Sequence, residues 1–183
     1  MTPDENKQHA YMPAIMGCAS FIELFSGLFS GNVSDPVGIA NIICFTKRFL
    51  DKSEFTEERI CLFFSMFRHK VAHVSRPYSV FDSHDVHNNN PLKNYPKRRI
   101  TWYITATYKK PAIEIIAKNG ELKKDRRPPW KQAPYSHICQ INLKRMIKVF
   151  PNAVTGPKGY LNEIMCCQSV RNDFIKCMDS FYP

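Results

Sequence analysis

Three apolar segments with helical spacing crowd the first third of the chain, and they limit what it can fold into. From Ala14 to about Ser30, Ile15, Ala19, Ile22, Phe25, Leu28 and Phe29 recur every three or four residues, the pattern of a helix with one face in a core. Gly17, Ala19, Ser20, Ser26 and Gly27 leave it thin enough for a second helix to approach, and Gly31-Asn32 stops it. A second helix is expected over residues 36–51, with Pro36 in its first turn and Ile39, Ile42, Ile43, Phe45, Phe49 and Leu50 facing inward. Thr56 followed by Glu57 and Glu58 marks the start of a third, because a hydroxyl cap and acidic first turn suit the positive end of a helix. That helix carries Ile60, Leu62, Phe63, Phe64 and Phe67, and Ser75 and Pro77 end it.

The character changes after Pro77. Residues 79–98 are polar and loop-like; then Ile100, Trp102 and Ile104 alternate with Thr101, Tyr103 and Thr105 at the period of a strand. Residues 112–117 form a second β-like run, and Asn119-Gly120 predicts a tight turn. Arg126-Arg127-Pro128-Pro129-Trp130 is an extended basic loop. Helical character is expected again from about Ile138, through Ile141, Leu143, Met146, Ile147 and Phe150. A last helix is expected over 160–181, after the break at Gly156-Pro157-Lys158-Gly159. The expected fold is mainly α: an antiparallel helical bundle with a small β-hairpin or meander insertion between its third and fourth main helices. It forms one domain over 1–183, with a first helical part (14–78), a polar loop and basic β insertion (79–135) and C-terminal helices (136–183).

Charge is concentrated where the β pattern lies. Of a formal net charge of +10, residues 93–131 supply +9, with twelve Lys and Arg against Glu114, Glu121 and Asp125. A basic surface of this kind suits an anionic partner. The seven cysteines are odd in number, scattered and without a Cys-x-x-Cys pair, which argues for buried thiols in a reducing compartment and against a zinc knuckle. Residues 1–10 lack the layout of a signal peptide, and residues 14–30, interrupted by Glu23, are short for a membrane span. A cytoplasmic protein off the membrane is expected.

The third helix delivers Arg68, His69 and His73 at its C-terminal end. Arginine is a permanent planar cation that matches phosphate oxygens, and histidine can carry a proton near neutral pH. This stretch, Arg68-His69-Lys70-Val71-Ala72-His73, resembles the signature of the HEPN domains (higher eukaryotes and prokaryotes nucleotide-binding): an arginine, a polar residue, a few more residues, then histidine. The resemblance implies a HEPN-like helical bundle and a metal-independent endoribonuclease of the toxin or defence type. In that role His73 moves the proton of the ribose 2′-hydroxyl, Arg68 stabilises the phosphorane and His69 orients either partner. It further implies RNA as substrate, a homodimer that shares the site, an antitoxin protein as partner, and no cofactor. The alternative within the same family is a non-catalytic nucleotide- or RNA-binding or dimerisation module. On an ideal helix residues five apart point about 140° apart, so unwinding, the reach of Arg68 or a second subunit has to close the gap.

From the residues alone, Arg68 can equally pair with an acidic neighbour while His73 caps the helix end. Glu23, inside an apolar helix, is the expected partner for Arg68. His69 and His73 have zinc-type spacing, but Lys70 stands where a zinc protease needs glutamate, so no metal is assigned there. Asp82, His84, Asp85 and His87 offer metal-type ligands in a polar loop without a demanding spacing. The candidate nucleic-acid-binding residues are Arg98, Arg99, Lys109, Lys110, Lys123, Lys124, Arg126, Arg127 and Trp130, because cations that follow phosphates beside aromatics that stack on bases suit single-stranded RNA. Trp102 and Tyr103 can instead pack under the sheet.

Overall fold

A computed structural model describes residues 11–32, 37–68, 80–84, 86, 88–107, 109–122 and 133–181. Helix α1 (Met12–Phe29) buries Ile15, Cys18, Ala19 and Ile22 and lies against α2 (Ile39–Phe49). It is long and apolar enough to cross a membrane by length and composition, with a mean hydropathy of 1.5, and 39% of it is buried within the fold. Helix α3 (Glu57–Phe63) starts where expected: the Thr56 hydroxyl accepts from the Arg59 N–H, and Glu57 and Glu58 occupy the first turn. It then widens into a π-helical turn, Phe64–Arg68.

The expected helical bundle with a β ornament is not what forms. Strands β1 (Phe81–Asp82), β2 (Arg99–Thr105), β3 (Ile113–Leu122) and β4 (Ala133–Asn142) make a four-stranded mixed sheet in the order β1-β2-β4-β3. β2 runs parallel to β4, and the other pairs are antiparallel. The sheet belongs to the core: Ile100, Ile104, Ile113, Cys139 and Ile141 are buried in the same cluster as the helices, and Trp102 meets the Phe67 ring edge-on at 5.8 Å. The missed elements are the short β1, inside the segment expected to be loop, and β4. Ile138 and Ile141 look helical beside Leu143 and Met146, yet Cys139 and Ile141 alternate into the core as a strand, and the helix begins only after Asn142.

Asn142 is wholly buried and caps that helix, α4 (Leu143–Thr155), by accepting from the Arg145 N–H; its amide donates to the Lys110 carbonyl at 2.8 Å. Asn119-Gly120 is not a turn but part of a bulge inside β3, where the register shifts between Ala117 and Gly120. A Cβ at Gly120 would stand 2.5 Å from Cζ of Tyr135, whose ring lies across it from β4, so a larger residue there would have to displace that ring. The last helix is two helices, α5 (Tyr160–Cys166) and α6 (Gln168–Phe181), broken at an extended Cys167. Vicinal Cys166 and Cys167 therefore sit at a helix break, with Cys166 exposed, and not in a helix interior. Cys18, Cys61, Cys139 and Cys177 are buried, and burial pushes the Cys61 and Cys139 thiols up to about 12.

Tyr160, fully buried at the start of α5, is ringed by Phe25, Phe29, Phe45 and Phe49 at 5.7–6.1 Å. Its hydroxyl has no hydrogen-bond partner among the described residues. A buried orphan hydroxyl costs about 1–3 kcal/mol. Tyr160→Phe, which keeps the ring contacts, should therefore raise the free energy of unfolding by about 1 kcal/mol; an unchanged or lower urea midpoint would count against it.

Candidate functional site

The π-helical turn inserts an extra residue per turn at the end of α3, and such turns recur at functional sites. It keeps Phe63 stacked on Phe67 at 5.6 Å and carries Arg68 off the core-facing side. Arg68 is then held by α1: its Nε and Nη2 donate to Oε2 and Oε1 of Glu23, both at 2.8 Å, with side-chain exposures of 25% and 15%. The expected Glu23–Arg68 pair is present, and its two-pronged geometry fixes the plane of the guanidinium.

The pair forms one wall of a cavity of about 230 Å³. Val37, Ile39, Ile42 and Phe64 supply its apolar lining, and Ser65, Asn89 and Asn90 its other polar groups. The Asn90 amide donates to Ser65 Oγ at 3.0 Å while its carbonyl oxygen accepts from the Leu92 N–H, so the 3₁₀ turn Pro91–Asn94 is tied back onto the π-helical turn. An oriented guanidinium in a mostly apolar recess can stabilise developing negative charge strongly, since little water competes. The same pairing opposes that use, because Glu23 compensates the charge and occupies one edge of the fork. His69 and His73 lie outside the described residues, as do Asp85 and His87 of the polar loop. Asp82 and His84 are described, and the Asp82 carboxylate accepts the His84 N–H at 3.1 Å.

Among the described residues, the candidate cations of the sheet segment fall at both ends of β2. Arg98 and Arg99 stand at the start of β2, whereas Lys109 and Lys110 follow its end, separated by a strand of roughly 20 Å. Arg98 is committed to Glu58 in the first turn of α3 at 2.7 Å, and Lys110 donates to Gln140 at 2.9 Å. Arg99 and Lys109 are exposed. Lys123, Lys124, Arg126, Arg127 and Trp130 lie outside the described residues. Trp102 turns to the core, and Tyr103, on the other face, is 42% exposed.

A second cleft, of about 340 Å³, opens at the start of β2 and β4. It brings His84, Lys97 and Tyr135 to Arg98 and Arg99, a grouping the sequence reading did not make. Its one legible signal is the run Lys97-Arg98-Arg99 directly before a strand. Beside it, His137 is held below the usual histidine range, first by burial and then by the Arg98 charge. Among the described residues no group of three or more His, Cys, Asp or Glu is placed to hold a metal ion.

No family model, curated protein or solved structure matches the chain.

Proposed function

We propose that this chain acts on RNA as a metal-independent endoribonuclease centred on Arg68, His69 and His73. The observation that supports the reading is Arg68 itself, carried by a π-helical turn to a cavity wall and locked in orientation by Glu23. In this mechanism His73 takes the proton from the ribose 2′-hydroxyl as that oxygen attacks the adjacent phosphorus. Arg68 balances the charge on the phosphorane oxygens, and the leaving 5′-oxygen collects a proton from His69 or water. The products are a 2′,3′-cyclic phosphate and a 5′-hydroxyl. The same reading carries a cytoplasmic location, a homodimer and a protein antitoxin.

A second reading, a non-catalytic RNA-binding or dimerisation module, is favoured by one observation: the Glu23 carboxylate already occupies the fork of Arg68. RNA cleavage in EDTA, with the ends identified, separates the two. Under the first reading the intact protein leaves cyclic phosphate, and Arg68→Ala and His73→Ala each lower the rate by about 10²–10³-fold. RNA bound but left uncut by well-folded protein, across several RNAs, replaces the first reading with the second.

A further inference from the structure

The cleft at the start of β2 and β4 is built more firmly than a surface run of cations. The Arg98-Arg99 backbone is pinned from both sides. On one side the Arg98 N–H donates to Ser83 Oγ at 2.7 Å, and the Ser83 N–H returns to the Arg98 carbonyl at 3.0 Å. On the other, Ser136 Oγ accepts from the Arg99 N–H at 3.3 Å and donates to the Arg99 carbonyl at 3.2 Å. Arg98 and Arg99 thus enter the sheet on a backbone held by both neighbouring segments, with Lys97 directly before them.

Their charges are not equivalent. Glu58 compensates Arg98, while neither Lys97 nor Arg99 forms an ion pair among the described residues. Among the described residues lining the cleft, Asp82 is the one carboxylate, and it accepts the His84 N–H; against Lys97, Arg98 and Arg99 these residues carry a net positive charge. Pro134 and Tyr135 complete the lining beside the cations. β2 and β4 are parallel, so both begin at this end.

We infer that this cleft is a phosphodiester-binding subsite for single-stranded RNA, in which Lys97 and Arg99 contact the backbone phosphates and Arg98 is a positioning residue held by Glu58. The inference rests on the chain acting on RNA, but it places the grip on the substrate away from the Arg68 cavity.

The test is the affinity of a 2′-O-methyl oligouridylate, which cannot be cleaved by attack of a 2′-hydroxyl, measured by fluorescence anisotropy at several potassium chloride concentrations. Each single-strand phosphate contact contributes about 0.7 to the log–log salt slope. Lys97→Gln with Arg99→Gln should weaken binding roughly tenfold at low salt and flatten the slope by about 1.4. Lys158→Gln with Lys176→Gln, the same charge loss at two exposed lysines elsewhere, should leave the slope unchanged. Thermal melts establish that both variants are folded. An unchanged affinity and slope in the first variant, or an equal loss in both, overturns the subsite. Neither result depends on cutting, so a protein that grips this oligonucleotide here yet cuts none of several unmodified RNAs in EDTA refutes the nuclease reading alone. A native chain that binds neither this oligonucleotide nor any of the unmodified RNAs refutes both.

Discussion

Phe45→Ala should lower the free energy of unfolding by about 3–5 kcal/mol, the largest stability loss expected from a single substitution in this chain. Phe45 is 1% exposed on α2, and its ring stands 6.4 Å from Phe25, 6.2 Å from Phe29, 5.0 Å from Phe49 and 6.1 Å from Tyr160. It therefore joins α1, α2 and α5, three elements that have no sheet to hold them together. Truncation removes the burial free energy of the ring and leaves a cavity whose aromatic walls can collapse only partly. Phe45→Leu retains most of the volume and should cost under half as much. Urea unfolding of both variants checks the ordering, and a loss below about 1.5 kcal/mol for the alanine variant would show that the cluster repacks freely.

The second large effect is expected at Glu54, which no motif announces. Its carboxylate accepts from Arg145 Nε at 3.1 Å to each oxygen, from Arg145 Nη2 at 2.5 Å and from the Ala112 N–H at 2.9 Å. One side chain 12% exposed thus fastens the turn before α3 to the start of β3 and the first turn of α4. Glu54→Ala leaves a partly buried guanidinium and a backbone donor without their acceptor, at a cost of about 2–3 kcal/mol.

The pair also sets an acid limit. The Arg145 hydrogen bonds, reinforced by the Ala112 N–H, hold the Glu54 carboxyl below its ordinary value of 4.5. A carboxyl depressed in the folded state contributes stability that is fully present above 4.5 and is lost as pH falls through the folded value. Glu54→Gln should flatten the fall in stability between pH 5 and the acid transition, as measured by the urea midpoint against pH. An identical acid profile in native and glutamine proteins would remove Glu54 from that role.

Helices α1, α2 and α3 were legible because each presents its apolar residues at one spacing and carries its own punctuation: Gly31-Asn32 after α1, Thr56 with two glutamates before α3. The β2 strand was legible for the same reason, since its alternation is strict. β4 was not. Its inward residues His137, Cys139 and Ile141 are mixed in polarity, and its last residue touches the first turn of an amphipathic helix, so the two periods overlap around Ile138 to Leu143. Asn119-Gly120 misled because the dipeptide reports only a permissive backbone. In the fold that permission is used for a bulge, where Gly120 pairs with Tyr135, fifteen residues away in sequence.

The candidate site divides in a similar way. Arg68 and its expected carboxylate could be named because a charge within an apolar helix has few affordable fates other than an opposite charge. The positive end of the sheet could be named as a region, since +9 of the net charge lies between residues 93 and 131. Which cations remain available could not, because compensation depends on partners distant in the chain: Glu58 takes Arg98 from 40 residues away and Glu54 takes Arg145 from 91.

The helical first third, the segregation of charge and the carboxylate partner of Arg68 could be read from the chain alone, because all are properties of spacing and side-chain type. Only the tertiary structure decided that the β segment is a core sheet and not an ornament, that the π-helical turn delivers Arg68 to Glu23, and that Lys97 and Arg99 share a cleft. Strand order, ion-pair choice and cavity shape arise from contacts between residues far apart in the chain, and local periodicity carries no record of which distant surfaces meet.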